Sequence, residues 1–333
     1  MKKILSIILL ISVCLTTLSS CAVFLKPTSN NEKIRVGYLT GPTGMGMAKL
    51  IVDNNGINGG NEKYSFISFA DNTEAAMTAL ANGSVDIICF PTNVAAVYPT
   101  KTGKNAKIIA VNCLNSLYLI SENENRNSLA DFEGETIYTC KNGTPRIVLE
   151  TIIKELGLNI EVSYVANGKD TMDSPTDVRD QMLAGNIQNA VLPEPLISAI
   201  LLKRNSSATL SPAMFVSVDL SEEWAKLFET PITMGCLLAN GDFVNNHNDL
   251  IDKFLTEYTA SVEYISTPEN FDSAALYIQE SGVIPSLPIA RSALKSLSKS
   301  IVCLEGDEMK KALETFYLKT GIALPNEQIY YAK

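Results

Sequence analysis

From Ile34 onward, short runs rich in β-branched residues alternate with stretches whose apolar residues recur every three or four positions. The first kind predicts strands and the second amphipathic helices, and their alternation marks a layered α/β fold. A strand over residues 34–39 leads through the glycine-rich turn 40–46 into a helix reaching about Asn55, with Gly56 as its terminal glycine. Residues 64–69 alternate like a second strand, and Asp71-Asn72-Thr73 caps a helix over 74–81. Residues 85–90 form an apolar third strand, and Pro91-Thr92-Asn93 opens another short helix. Two more strands follow at 107–113 and 116–120. Successive strand–turn–helix units favour parallel pairing with helices on both faces.

A second cycle starts near Ser121. Residues 135–140 predict a strand, and Thr144 reads as the N-cap of a helix with Pro145 in its first position, closed by Gly157. A strand is expected at 160–165, a capping box at Ser174-Pro175-Thr176-Asp177, and a short strand at 189–192 before Pro193-Glu194-Pro195. Beyond Leu220 the texture changes to one apolar run at 233–238 and helical periodicity at 250–264, 271–280, 288–297 and 308–320.

The first twenty residues belong to neither cycle. Lys2 and Lys3 precede an apolar stretch that ends in Leu18-Ser19-Ser20-Cys21, the order of a secretory signal. It is short for a membrane span, which needs about 20 apolar residues. The small-small-Cys ending resembles a bacterial lipobox, which predicts cleavage after residue 20 and a lipid on Cys21. Residues 21–32 then read as a polar tether. The expected location is outside the cytoplasm, anchored to the cell membrane through Cys21.

Composition narrows the partners. Losing residues 1–20 removes two lysines and no acid, so the formal charge goes from −9 to −11. No basic run exists to neutralise phosphates, so nucleic acid is excluded as partner. Five cysteines remain at wide spacing, namely Cys89, Cys113, Cys140, Cys236 and Cys303. None forms a CxxC pair or a metal-ligand pattern, so no metal and no essential disulfide is expected.

The turns carry the candidate chemistry. The segment Gly41-Pro42-Thr43-Gly44-Met45-Gly46 lacks the Lys-Ser/Thr of a P-loop, and Lys49 breaks the dinucleotide fingerprint. What remains is a glycine turn feeding a helix start, where free N–H groups meet a ligand or simply close a tight turn. Residues 40–46, 71–73, 91–93 and 142–145 all follow strands and open helices, the position at which open sheets bind ligands. Arg146 is the nearest fixed positive charge, to a ligand or to a surface partner. Glu194 either accepts from a ligand in the cleft or caps the next helix. Tyr38, Phe90, Tyr98 and Tyr118 offer flat walls, with Phe90 better suited to the core. His247 is the only histidine and stands in a polar turn that suggests no Ser-His-Asp or Cys-His pairing, and neither GxSxG nor HExxH occurs. The acidic residues Asp170, Asp173, Asp177 and Asp180 suit a solvated face better than a calcium loop. Enzymatic chemistry is unsupported.

The lipobox-like Cys21, the Gly-Pro-Thr-Gly turn, Asn82-Gly83-Ser84-Val85-Asp86 before an apolar strand, and Gly143-Thr144-Pro145 at a helix start recur in one order. In that order they resemble the substrate-binding lipoproteins of ABC importers, in the nitrate, sulfonate, taurine and thiamine-precursor group. The resemblance implies a type 2 periplasmic-binding-protein fold with two lobes, each a mostly parallel sheet flanked by helices, and a helical C-terminal region. Lobe I would comprise 33–117 and 231–333, and lobe II 118–230, closing on a ligand like a clamp. The implied ligand contacts are Thr40, Gly41, Thr43, Gly44, Met45, Asn72, Thr73, Thr92, Asn93, Asn115, Asn142, Gly143, Thr144, Arg146 and Glu194. The implied role is capture of a small polar or anionic organic ligand, without cofactor, for a permease driven by an ATPase. An enzyme on the same fold, of pyrimidine synthase or dehydratase type, and a ligand-sensing lipoprotein are the alternatives.

Overall fold

The computed structural model describes residues 33–168, 170–206 and 212–332. The signal, tether and Cys21 expectations lie outside the described residues. Residues 33–333 form one compact unit. Its strands are β1 (Ile34–Tyr38), β2 (Tyr64–Ser68), β3 (Ile87–Pro91), β4 (Ala106–Leu114), β5 (Leu117–Ser121), β6 (Thr136–Tyr138) and β7 (Glu161–Ser163). They continue with β8 (Val165–Ala166), β9 (Asp170–Thr171), β10 (Asn189–Pro193), β11 (Phe215–Asp219), β12 (Thr233–Asn240) and β13 (Ile301–Leu304).

Two sheets flanked by helices give the two-lobe α/β architecture. One has six strands in the order β13-β4-β12-β3-β1-β2, the other five in the order β11-β5-β10-β6-β7. The expected predominance of parallel pairing is not found. Pairing is parallel in β2-β1-β3 and in β10-β6-β7, and antiparallel across the rest of both sheets. The cause is the crossing. The chain leaves the first sheet on β4 and enters the second on β5 after only Asn115 and Ser116, and it returns on β12. A return strand beside its exit strand must run the other way, which makes β12 and β4 antiparallel.

The crossing segments are clasped to each other. Asn115, at φ 36°, donates its N–H to the Ile232 carbonyl at 2.8 Å. Its side-chain oxygen accepts from the Ile232 N–H at 3.0 Å. A left-handed residue is unusual outside glycine, and asparagine is among the side chains that tolerate it.

Three apolar clusters organise the interior. One lies against the six-stranded sheet and includes Val36, Phe254 and Leu294. Another lies on the second sheet with Ile120, Met182 and Ile197. The largest joins the two sheets, running from Phe90 and Val111 through Leu119 and Val148 to Trp224 and Phe316. Trp224, in the helix Leu220–Phe228, meets Phe316 of the C-terminal helix Gly306–Thr320 at 5.7 Å between ring centroids.

Several local readings need correction. The left-handed residue that ends the helix Ala48–Asp53 is Asn55 at φ 56°, whereas Gly56 begins a short 3-10 turn. Gly143, at φ 103°, occupies the N-cap position, so Thr144 is the first helical residue. β11, the helix Leu220–Phe228 and β13 were not anticipated. The capping box at Ser174 forms as expected, with Asp177 accepting from the Ser174 N–H at 2.8 Å.

Candidate ligand-binding cleft

The first turn is shaped by its glycines. Gly41 takes φ 91°, and its carbonyl accepts from the Gly44 N–H at 3.1 Å. A Cβ at Gly44 would lie 2.4 Å from the Leu39 carbonyl oxygen, so only glycine fits this close approach. Thr43 is held from below, since its carbonyl accepts from the Asn112 side-chain amide at 2.8 Å. Met45 is fully buried in the core of the first sheet, because the apolar side chain turns inward. Thr40 remains half-buried.

The next two turns follow β2 and β3. Asn72 caps the helix Thr73–Ala81 by accepting from the Ala75 N–H at 2.9 Å, with Thr73 half-buried behind it. Thr92 opens the helix Thr92–Thr102 fully buried, and its hydroxyl donates to the Thr233 carbonyl at 2.6 Å. The Thr92 carbonyl in turn accepts from the Tyr317 hydroxyl at 2.9 Å. Thr92 thus ties its helix to the crossing segment. Asn93 is half-buried, and its side-chain oxygen accepts from the Thr144 hydroxyl at 3.3 Å. That bond joins the helix after β3 in the first sheet to the helix after β6 in the second.

On the second sheet, Asn142 is exposed and its carbonyl accepts from the Cys140 thiol at 3.0 Å. Burial pushes that thiol up to about 11. Arg146 is not free to meet a ligand. Its Nε donates to Glu150 at 2.7 Å, its Nη1 to the Lys141 carbonyl at 3.1 Å, and it lies 5.0 Å from the Tyr164 ring centroid. The i,i+4 spacing of Arg146 and Glu150 on one helix brings them together.

Glu194 resolves toward the capping alternative. Its carboxylate accepts from the Ser198 N–H and hydroxyl, both at 3.1 Å, at the start of the helix Leu196–Asn205. Ser198 also pairs with the Ser292 hydroxyl at 2.9 Å, which carries the contact to the helix Leu287–Leu297. Burial holds the Glu194 carboxyl above its ordinary range, against the lowering effect of its serine partners. Its neighbour Pro195 faces Gly41, where an added Cβ would stand 3.6 Å from the proline ring.

Of the four aromatic candidates, Phe90, Tyr98 and Tyr38 are buried, the last donating to the Ser281 carbonyl at 3.0 Å. Tyr118 is partly exposed and pairs in register with Leu192 and Asp219. Burial raises its hydroxyl well above the usual range, and Asp219, Glu194 and Glu222 add to the effect. His247 sits between two helices with its ring tilted by 35° against that of Phe243 at 4.9 Å between centroids.

The sequence did not point to Ser116, Thr233, Ser198 or Ser292. Ser116 and Thr233 are fully buried on the crossing segments, and their hydroxyls have no hydrogen-bond partner among the described residues. Their neighbours Asn115 and Ile232 were a usable signal only once the crossing was known. A separate groove of about 460 Å³ lies between Leu183, Leu202 and Pro288, and none of the candidate residues lines it.

No protein-family model and no curated protein sequence matches the chain. Solved structures do. An ABC transporter protein from Parabacteroides distasonis is 17% identical with a TM-score of 0.68, over 90% of this chain and 99% of that one. The periplasmic aliphatic sulphonate binding protein SsuA from Escherichia coli is 17% identical with a TM-score of 0.65, over 91% and 92%. The periplasmic nitrate-binding protein NrtA from Synechocystis PCC 6803 is 10% identical with a TM-score of 0.58, over 83% and 74%. The fold is therefore that of the two-lobe binding proteins of ABC transporters, of the sulfonate- and nitrate-binding type.

Proposed function

We propose that this protein is an extracytoplasmic solute receptor, tethered to the membrane through a lipid on Cys21. It captures a small polar organic solute between its lobes and delivers it to a permease driven by an ATPase, without turnover. The observation that carries this reading is the Thr144–Asn93 hydrogen bond, because it joins two helix starts across the interval in which a clamp would hold its cargo. The binding roles of Thr40, Gly41, Thr43, Asn72, Thr73, Asn142 and Gly143 belong to the same proposal. Asn115 and Thr92 serve it by fixing the crossing. Among the described residues no helix is long and apolar enough to cross a membrane.

A thermal-shift screen over sulfonates, nitrogenous solutes, pyrimidines and amino acids tests the binding reading, since a ligand that favours the folded state raises the midpoint. Conversion of a solute that binds would overturn it in favour of an enzyme. Replacing Cys21 with Ser should release the protein from the membrane fraction, and unchanged retention would remove the anchor.

A further inference from the structure

We propose that Glu194, Ser198 and Ser292 form a proton-linked latch between the two sheets, engaged while Glu194 is protonated and released once it ionises. The device acts in the solute-free protein, so its failure would leave the receptor reading untouched.

The first observation is where the hydrogen bonds run. The helix Leu196–Asn205 packs Ile197 and Ile200 on the second sheet, and the helix Leu287–Leu297 packs Ala290 and Leu294 on the first. Between them the Ser198 hydroxyl meets Glu194 at 3.1 Å and Ser292 at 2.9 Å, so one carboxyl and two hydroxyls bridge the seam. Two other links between the sheets, Thr144 to Asn93 and Trp224 to Phe316, are made by side chains that do not ionise. Of these three links, only the one through Glu194 can sense a proton.

The second observation is that the seam buries this carboxyl without a cation. Glu194 is 3% exposed, and its hydrogen-bond partners are serines. The charged groups on neighbouring elements have other partners: Arg146 pairs with Glu150, Arg179 with Asp180, Arg204 with Glu122 and Arg291 with Asp272. Asp177 caps its own helix at Ser174. Lys203 and Lys295 are exposed. From β5 the Tyr118 hydroxyl faces Glu194, and burial pushes it well above its usual range, while Asp219 and Glu222 bear on Tyr118.

Connectivity does not decide which state holds, because a hydroxyl gives one proton and accepts others. With Glu194 ionised, Ser198 donates to the carboxylate and Ser292 to Ser198. With Glu194 protonated, the acid donates to Ser198, and Ser198 to Ser292. The chain closes either way. Desolvation decides, since an ionised carboxylate in the closed seam lacks the water that it regains when the helices part. Water has a way in, because the groove of about 460 Å³ is lined by Ala199, next to Ser198, and by Ile289, three positions before Ser292.

Burial outweighs the serine bonds and holds the carboxyl above its ordinary range. The engaged seam therefore binds the proton more tightly than the parted one. The latch is complete below the ordinary carboxylate range and is lost as pH rises through the raised value. Each pKa unit between the two states changes the ratio of engaged to parted molecules about tenfold.

The test is small-angle scattering on the solute-free protein from about pH 5 to about pH 8, above the ordinary glutamate value, with circular dichroism to confirm the fold. The radius of gyration should rise with pH in one step, and Glu194→Gln, which cannot ionise, should keep the low-pH value throughout. Ser292→Ala cuts the bond to the first sheet's helix and should move the step to lower pH by about half a unit or more, a roughly threefold loss of the engaged form. A radius of gyration that does not vary with pH in the parent protein, or that rises equally in Glu194→Gln, overturns the latch. Should Glu194→Gln fail to fold, Ser292→Ala decides, and a step that it leaves unmoved overturns the latch.

Discussion

The Thr144 hydroxyl donates to the Asn93 side-chain oxygen at 3.3 Å, linking the first turn of a helix on one sheet to the first turn of a helix on the other. Both turns follow strands, so the two residues meet only when the sheets are brought together. Removing a hydrogen bond of this kind costs about 0.5–1.5 kcal/mol, or roughly two- to tenfold in affinity. Thr144→Val and Asn93→Ala should each weaken solute binding by that amount with little change in unfolding midpoint. In a double-mutant cycle their effects should be non-additive. Strict additivity would separate the two residues functionally.

Glu194 makes stability depend on pH in a defined direction. Burial raises its pKa in the folded state, so its folded form binds the proton more tightly than the unfolded chain does. Its contribution is therefore complete below the ordinary carboxylate range and is lost as pH rises through the raised value. Glu194→Gln should melt higher than the parent protein near pH 8, and the gap should close near pH 4, just below the ordinary glutamate pKa of about 4.3. A gap that does not vary with pH contradicts this account of Glu194.

Arg204 is a purely structural ion pair. It is buried, donates to Glu122 at 2.7 Å, and also holds the Met182 and Pro212 carbonyls at 3.1 and 2.8 Å. Arg204→Ala leaves those acceptors without a donor and should cost about 3 kcal/mol in urea unfolding, the low end for breaking a buried pair because Glu122 keeps some solvent contact. A loss below 1 kcal/mol would mean that water replaces the guanidinium freely.

Trp224 gives a direct optical view of the joint between the sheets. It is the only tryptophan in the chain, fully buried, with Phe228 at 4.5 Å and Phe316 at 5.7 Å. Its indole N–H has no hydrogen-bond partner among the described residues. Solute-driven movement of one sheet against the other should change its emission, and Trp224→Phe should abolish that signal while leaving binding within about twofold. An invariant spectrum across a saturating titration would place the joint outside the moving parts.

Much of the architecture was legible because it is local. Val85–Phe90 and Thr233–Leu238 are apolar runs, and the helix ending at Gly157 carries its own stop signal. Ser174 and Asp177 are only three positions apart, close enough for a capping box to be read directly. The crossing was not legible, since the bonds between Asn115 and Ile232 span more than a hundred positions. That long-range return is what sets β12 antiparallel to β4. Arg146 and Glu194 fell to nearby partners, Glu150 and Ser198, that the sequence displayed without ranking. Ser292 meets Ser198 from a helix whose sequence pattern carries no mark of the contact.

The central claim is a clamp that closes on a solute, and scattering tests it most directly. The solute that raises the unfolding midpoint most in the screen should be titrated to saturation while the radius of gyration is followed. The account predicts a decrease, lost or diminished in Thr144→Val. A radius of gyration unchanged at saturation would contradict it.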